Sequence, residues 1–216
     1  MIAENEAPKL KKLAAGILKK LKKFFPHAKI ALNYFNNWEL LVAVVLSAQC
    51  TDKKVNEVTE KLFKKYRTLD DYIKADTAEF EKDIKSTGFY RNKAKSILAA
   101  AKAVKEKYGG KLPKSMEEML KIPGIGRKSA NVILGNAYGI VEGIAVDTHV
   151  MRLSKKLGLT ENIDPAKIEQ DLMKIAPKDM WIDFAHMLIL RGREMCTARP
   201  HTCEGCPLGD LCPDRK

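Results

Sequence analysis

LKIPGIGRKSAN, residues 120–131, is the stretch on which the reading of this chain turns. Ser115 followed three residues later by Glu118 is a capping-box pattern, so a short helix opens there, and Pro123 closes it. Pro123-Gly124-Ile125-Gly126 then leads at once into a second helical pattern, Arg127–Tyr138. Glycines adopt backbone conformations closed to other residues, which lets a backbone approach a ligand closely. The amides of such a turn, together with the N-terminus of the next helix, form an anion site that fits a phosphate. Ile125 between the glycines can anchor the turn in the core. A lone Gly-x-Gly says little. A capped helix, Pro-Gly-x-Gly and a basic helix start together point to a helix–hairpin–helix that grips a DNA backbone without reading sequence. Gly124, Gly126 and Arg127 are the candidate contacts.

Lys128 falls in the first turn of the second helix, where the positive end of the dipole disfavours an ammonium. Partly shielded there from water, it would more often be the neutral amine that attacks an electrophilic carbon and forms a Schiff base. Local chemistry alone favours the plainer reading, a second phosphate-binding cation beside Arg127. Downstream, IAVDTHV (residues 144–150) places Asp147 after a short apolar run and before a helix. That is an ordinary N-cap position. A carboxylate near an amine could also accept its proton and stabilise cationic charge on a sugar ring, and the two roles are compatible. His149 could contact DNA or pack.

Outward from the hairpin, apolar residues recur at three- and four-residue intervals and no run alternates as a strand would. Leu10, Leu13, Ile17, Leu18 and Leu21 predict an amphipathic surface helix, and Trp38–Gln49 a core helix. Asp52 is placed to cap the next, with Val55, Val58, Leu62, Phe63 and Tyr66 on one face. Asp76 with Glu79 opens a helix that Gly88 ends, and Ala94, Ile97, Leu98, Ala101 and Val104 line another that stops at Gly109-Gly110. Later helices fit Thr148–Leu157, Pro165–Ala176 and Met180–Arg191. The expected fold is all-α, with roughly ten helices.

Thirty-nine basic against twenty-seven acidic residues give +12 and a pI near 9.4, an excess that favours a polyanionic partner. A generally lysine-rich, heat-adapted surface explains the same charge equally well. No apolar run approaches the roughly 20 residues of a membrane span, Leu40 to Leu46 being the longest. Lysines interrupt the apolar residues throughout Lys9–Lys23, so no targeting segment is expected.

Four of the five cysteines, Cys196, Cys203, Cys206 and Cys212, cluster near the C-terminus as Cys-x6-Cys-x2-Cys-x5-Cys. This is a metal-ligand distribution in a reducing compartment, not a secreted disulfide scaffold. Structural zinc prefers two tight ligand pairs, and only one exists here. Spacing therefore favours an iron–sulfur cluster while leaving zinc open. Cys50 stands alone in an apolar segment as a small buried hydrophobe. Arg199 and His201 inside the first loop, with Arg191 and Arg193 upstream, either solubilise the surface or present cations to DNA phosphates. No acid lies between Cys196 and Cys203 to cancel them, which favours the second.

LPKSMEEMLKIPGIGRKSANVIL, then AVDTHVMRL, then the cysteine tail, with ELLVAVVLSAQCTD and STGFYRNKA ahead of them, resemble the endonuclease III family. This is the iron–sulfur branch of the helix–hairpin–helix DNA glycosylases, and the likeness runs from about Trp38 to Cys212. The resemblance implies two helical domains with DNA in a cleft between them. One is a barrel with the hairpin over residues 31–137; the other combines 1–30 with 138–216 and carries a structural 4Fe–4S cluster. It further implies Lys128 as nucleophile at C1′ and Asp147 as its acidic partner. The four cysteines become cluster ligands, and Gln49 fills the space left by an extruded nucleotide. Phe89 stands where the best-known members carry a leucine wedge, which puts opposite-base preference in doubt. The implied activity is a bifunctional glycosylase and abasic-site lyase. A monomer would act on double-stranded DNA holding an oxidised pyrimidine, such as thymine glycol, or an abasic site. The implied location is the prokaryotic cytoplasm, at the nucleoid.

Two other readings remain. A monofunctional mismatch glycosylase of the same superfamily would typically lack a lysine at position 128 and let water attack. A non-enzymatic DNA-binding iron–sulfur protein would need neither Lys128 nor Asp147 in particular.

Overall fold

A computed structural model describes residues 6–199 and 202–215. Among them no strand forms, as the helical spacing of apolar residues requires. In chain order the α-helices are α1 (Ala7–Phe24), α2 (Asn37–Leu46), α3 (Asp52–Lys65), α4 (Leu69–Lys74), α5 (Thr77–Ile84) and α6 (Tyr90–Tyr108). They continue with α7 (Met116–Met119), α8 (Arg127–Tyr138), α9 (Thr148–Lys156), α10 (Pro165–Ile175) and α11 (Trp181–Glu194). Three-residue 3-10 turns follow α5 at Lys85–Thr87 and precede α11 at Lys178–Met180. The helices fall into two compact units, Ala31–Glu142 and the pair Met1–Ile30 with Gly143–Lys216.

In the continuous unit α2 is the central element. Leu40, Leu41, Val42, Ala43 and Leu46 are fully buried, and α3, α6 and α8 pack around them. A helix apolar on every side has nowhere else to go. Each such leucine contributes about 1.5–3 kcal/mol by leaving water. Asn36 caps the helix through Glu39 N–H, and the Glu39 carboxylate accepts from Phe35 N–H and the Asn36 amide. The helix is shorter than its apolar pattern predicts. The Ser47 hydroxyl donates to Val44 O, and the chain turns outward through Ala48 and Gln49, both exposed. Thr51 rather than Asp52 caps α3, because its hydroxyl is the one that reaches the N–H of Lys54, three residues on. Asp52 becomes the first helical residue, an acid at the positive end of the dipole.

Asp76 caps α5 and Gly88, at φ 70°, ends the 3-10 turn after it. Gly109 closes α6 in the left-handed conformation. The six-residue α4 has too few turns to show periodicity, yet Thr68 and Asp71 form a full capping box. Around it Trp38, Tyr66, Tyr72 and Phe80 pack with ring centroids 5.2–5.8 Å apart.

In the discontinuous unit α1 packs on α10 and α11 through Ala14, Ile17, Leu18 and Leu21, while its lysines stay outside. Asp164 caps α10 with Pro165 at its first position. Helix α9 packs along α11, with Gly192 facing His149. A Cβ at Gly192 would sit 2.8 Å from His149 Nδ1 and 3.0 Å from His149 Cβ.

Candidate functional site

The hairpin is built from three local decisions. Ser115 accepts from Glu118 N–H and starts α7; Ile122 and Ile125 are buried and pin the turn; Ile125 N–H closes it on Ile122 O at 3.1 Å. Gly124 holds φ 80°, and a Cβ there would lie 2.5 Å from Ser96 Cβ. Both the backbone and the space therefore demand glycine. Gly126 differs. It is the N-cap of α8 with an extended backbone, gives no side-chain cap, and an added Cβ would meet nothing within 4 Å. The start of α8 thus takes no cap from its own N-cap residue, and it lies on an exposed surface with Arg127 and Lys128.

Lys128 occupies the first turn of α8, as its sequence position predicts. The expected partial shielding is absent. Lys128 is exposed and makes no hydrogen bond or ion pair among the described residues. Among the described residues nothing covers the amine.

Asp147 caps α9, its Oδ1 accepting from His149 N–H and Val150 N–H, each at 2.9 Å. The other carboxylate oxygen takes no hydrogen bond among the described residues. The residue is half-buried, so one oxygen holds the helix while the other is available for chemistry. His149 lies against Arg152 (Nδ1 to Nη2, 3.3 Å) and backs onto Gly192.

Gln49 and Phe89 share a backbone peculiarity that periodicity could not reveal. They are the two non-glycine residues with positive φ, 51° and 47°, among those described. Both are exposed, and Phe89, 63% accessible, is a bare aromatic ring at the start of α6. Such backbone costs an ordinary residue about 1–3 kcal/mol and persists only where its surroundings enforce it.

Cys196, Cys203, Cys206 and Cys212 line one cavity of about 20 Å³. Burial pushes the Cys212 thiol upward, with Cys196 and Cys206 close enough to add to it. Among the described residues no three Cys, His, Asp or Glu side chains are gathered as ligands of a single ion. Arg191 corrects a sequence expectation. It lies on the buried side of α11 and so is neither a solubilising charge nor a phosphate contact. Its Nη2 donates to Cys206 Sγ at 2.6 Å, while Nε and Nη1 are buried without hydrogen-bond partners. A buried cation with orphaned donors beside four thiols fits an anionic group held by those sulfurs. Arg152 braces the same loop, its guanidinium donating to Cys196 O and Gly192 O. Arg193 and Arg199 are exposed; His201 lies outside the described residues. Cys50 is half-buried and not part of the core. Arg152 is the site residue that sequence reasoning missed, since nothing local marks a helix arginine as the partner of a loop 44 residues on.

Fold and hairpin together define a class: residues 42–178 match the model of the HhH-GPD superfamily base excision DNA repair protein. The chain is 48% identical to endonuclease III of Synechocystis sp. over 94% of its own length and 93% of that protein's. It is equally similar to endonuclease III of Bacillus subtilis, with 90% and 89% covered. A solved structure of a trapped endonuclease III–DNA covalent intermediate superimposes with a TM-score of 0.90 at 44% identity, covering 99% of this chain and 97% of that one. The chain belongs to the endonuclease III family, and it is a bifunctional DNA glycosylase and abasic-site lyase of base excision repair. Among the described residues no helix is long and apolar enough to cross a membrane.

Proposed function

We propose that Lys128 is the nucleophile and Asp147 the acidic partner of an enzyme that removes oxidised pyrimidines, such as thymine glycol, from double-stranded DNA. The observation that carries this is an exposed, unpaired lysine on the first turn of a helix whose glycine hairpin is open in front of it. Gly124, Gly126 and Arg127 hold a phosphate, with the backbone amides at the start of α8 as donors. Arg199 adds a backbone contact from the cysteine loop. DNA then supplies the cover that the protein lacks, and an amine so desolvated loses its proton more readily.

The chemistry follows. The neutral amine of Lys128 attacks C1′, the N-glycosidic bond breaks, and the damaged base departs with the bonding pair. The free oxygen of Asp147 stabilises the positive charge developing on the sugar and takes the proton released by the lysine. Ring opening gives an imine. Loss of a C2′ proton and departure of the 3′ phosphate then cut the strand by β-elimination, and water releases the lysine. Gln49 and Phe89 fill the space of the extruded nucleotide and offset its lost stacking.

The four cysteines would ligate a 4Fe–4S cluster, whose role would be to brace the loop, and the buried Arg191 donors beside them suit its negative charge. The domain reading accompanies this: a hairpin-bearing barrel over 31–137 and a cluster-bearing domain from 1–30 with 138–216. The monomer would work in the prokaryotic cytoplasm at the nucleoid, a reading that bacterial relatives support.

The test is borohydride trapping on duplex DNA containing thymine glycol or an abasic site. Wild type should give a covalent adduct and Lys128→Ala none. Asp147→Asn keeps a good helix cap, so it should melt like wild type while excising more slowly by about 100-fold or more. An adduct from Lys128→Ala would remove the lysine from its role.

A further inference from the structure

Behind Gln49 and Phe89, in the continuous unit, lies a buried cation. Lys93, the fourth residue of α6, is 4% exposed. Its ammonium donates to two backbone carbonyls, Leu46 O at 2.8 Å and Thr87 O at 2.7 Å. Leu46 is the last residue of α2, three before Gln49; Thr87 ends the 3-10 turn, two before Phe89. One side chain thus ties together the two turns that carry the two strained, exposed residues.

The placement is costly. Among the described residues no carboxylate pairs with Lys93, and burial pushes it below the usual lysine range, with Cys50 opposing. An apolar residue among Ala94, Ile97 and Leu46 would avoid desolvating a charge at that position. What an apolar residue could not do is bridge two carbonyls 41 residues apart in sequence. Capping the carboxyl ends of α2 and the 3-10 turn is the plainer role, and it would leave DNA handling untouched.

We propose that Lys93 is a positioning residue that fixes Gln49 and Phe89 relative to each other, so that both enter the duplex as one rigid, two-pronged wedge. This rests on the reading that those two residues occupy the space of the extruded nucleotide. Lys93 itself touches neither DNA nor the reacting atoms. Its loss uncouples the prongs, and extrusion of a stacked base suffers while the chemistry at an already unstacked abasic site does not.

The experiment uses cluster-loaded Lys93→Met and Lys93→Gln, each checked by thermal melting. Excision from a thymine glycol duplex is compared with borohydride trapping on a single-stranded abasic oligonucleotide. The expected result is a loss of about 10- to 100-fold on duplex, with single-strand trapping within about twofold of wild type. Amide exchange across residues 47–50 and 87–89 should quicken. A folded variant that keeps duplex activity, or loses both activities equally, overturns the assignment, as does failure of both variants to fold. Gln49→Ala and Phe89→Ala separate the two claims. If neither slows duplex excision, the wedge reading falls and takes this one with it. If they slow it and Lys93→Met does not, the wedge stands and Lys93 is excluded.

Discussion

At the scale of the residue, two glycines two positions apart do opposite things. Gly124 answers to the protein, since its φ of 80° and the 2.5 Å approach to Ser96 leave no room for a side chain. Gly126 answers to whatever lies outside, since its backbone is extended and its would-be Cβ meets nothing. Gly124→Ala should therefore destabilise by about 1–3 kcal/mol in denaturant melts. Gly126→Asp should hold or raise stability, because aspartate is a better N-cap and suits the dipole. The same carboxylate would occupy and repel the phosphate position proposed at the hairpin, so affinity for duplex DNA should drop at least about tenfold. Undiminished binding by Gly126→Asp in a fluorescence-anisotropy titration would falsify the phosphate role. Sequence alone named both glycines but could not separate them, since the distinction depends on Ser96, far away in the chain.

Among the elements, α3 and α5 are joined by a polar knot at the edge of the aromatic cluster. Tyr66 hydroxyl donates to Asp83 Oδ2 at 3.0 Å, and Lys65 donates to Asp83 at 2.6 Å and Glu79 at 2.7 Å. Burial, and then the Asp83 carboxylate, push the Tyr66 phenol up to about 12 from its ordinary 10. The folded state thus holds this proton more tightly than the unfolded chain. Stability from Tyr66 is complete below pH 10 and is lost as pH rises from 10 through 12. Lys65 is pushed up by the same carboxylates and acts in the same direction. Urea melts in this window should show wild-type stability falling with pH. Tyr66→Phe should be less stable at neutral pH and fall less steeply; an equal slope would mean that the phenol does not titrate with folding. The helical character of both and the start of α5 were legible from caps and periodicity, while the cap of α3 is Thr51, one residue before the expected Asp52. The 3-10 turn and the left-handed Phe89 were not legible, because the chain there is met by groups of α2, more than 40 residues earlier, which no local pattern marks.

For the whole molecule, the two units hold their cores by different means. Residues 31–142 are organised around an apolar helix buried on all sides. The other unit adds to its helical core a cysteine loop tied back by Arg152 and Arg191. If the cysteines hold the proposed cluster, removing it by oxidation and chelation should leave the buried Nε and Nη1 of Arg191 without partners, a costly state. Amide exchange should then quicken in α9, α11 and the loop of residues 196–212, while α2 and α6 keep their protection. Equal loss of protection in both units would show that the cluster supports the entire chain rather than one part of it.

What the sequence determined by itself is what local chemistry dictates: an all-helical chain, a glycine hairpin with a lysine behind it, an aspartate at a helix start, and four cysteines spaced for metal. Each is set by residues within one or two turns of each other, so periodicity, caps and spacing suffice to find them. The tertiary structure alone decided which charges are buried and to what end. Arg191 looked like a surface cation until α11 turned it toward Cys206, and Lys93 looked like one more lysine until α6 carried it between Leu46 and Thr87. A charge enters a protein interior only where distant groups meet it, and those groups are brought together by folding, not by neighbourhood in the chain.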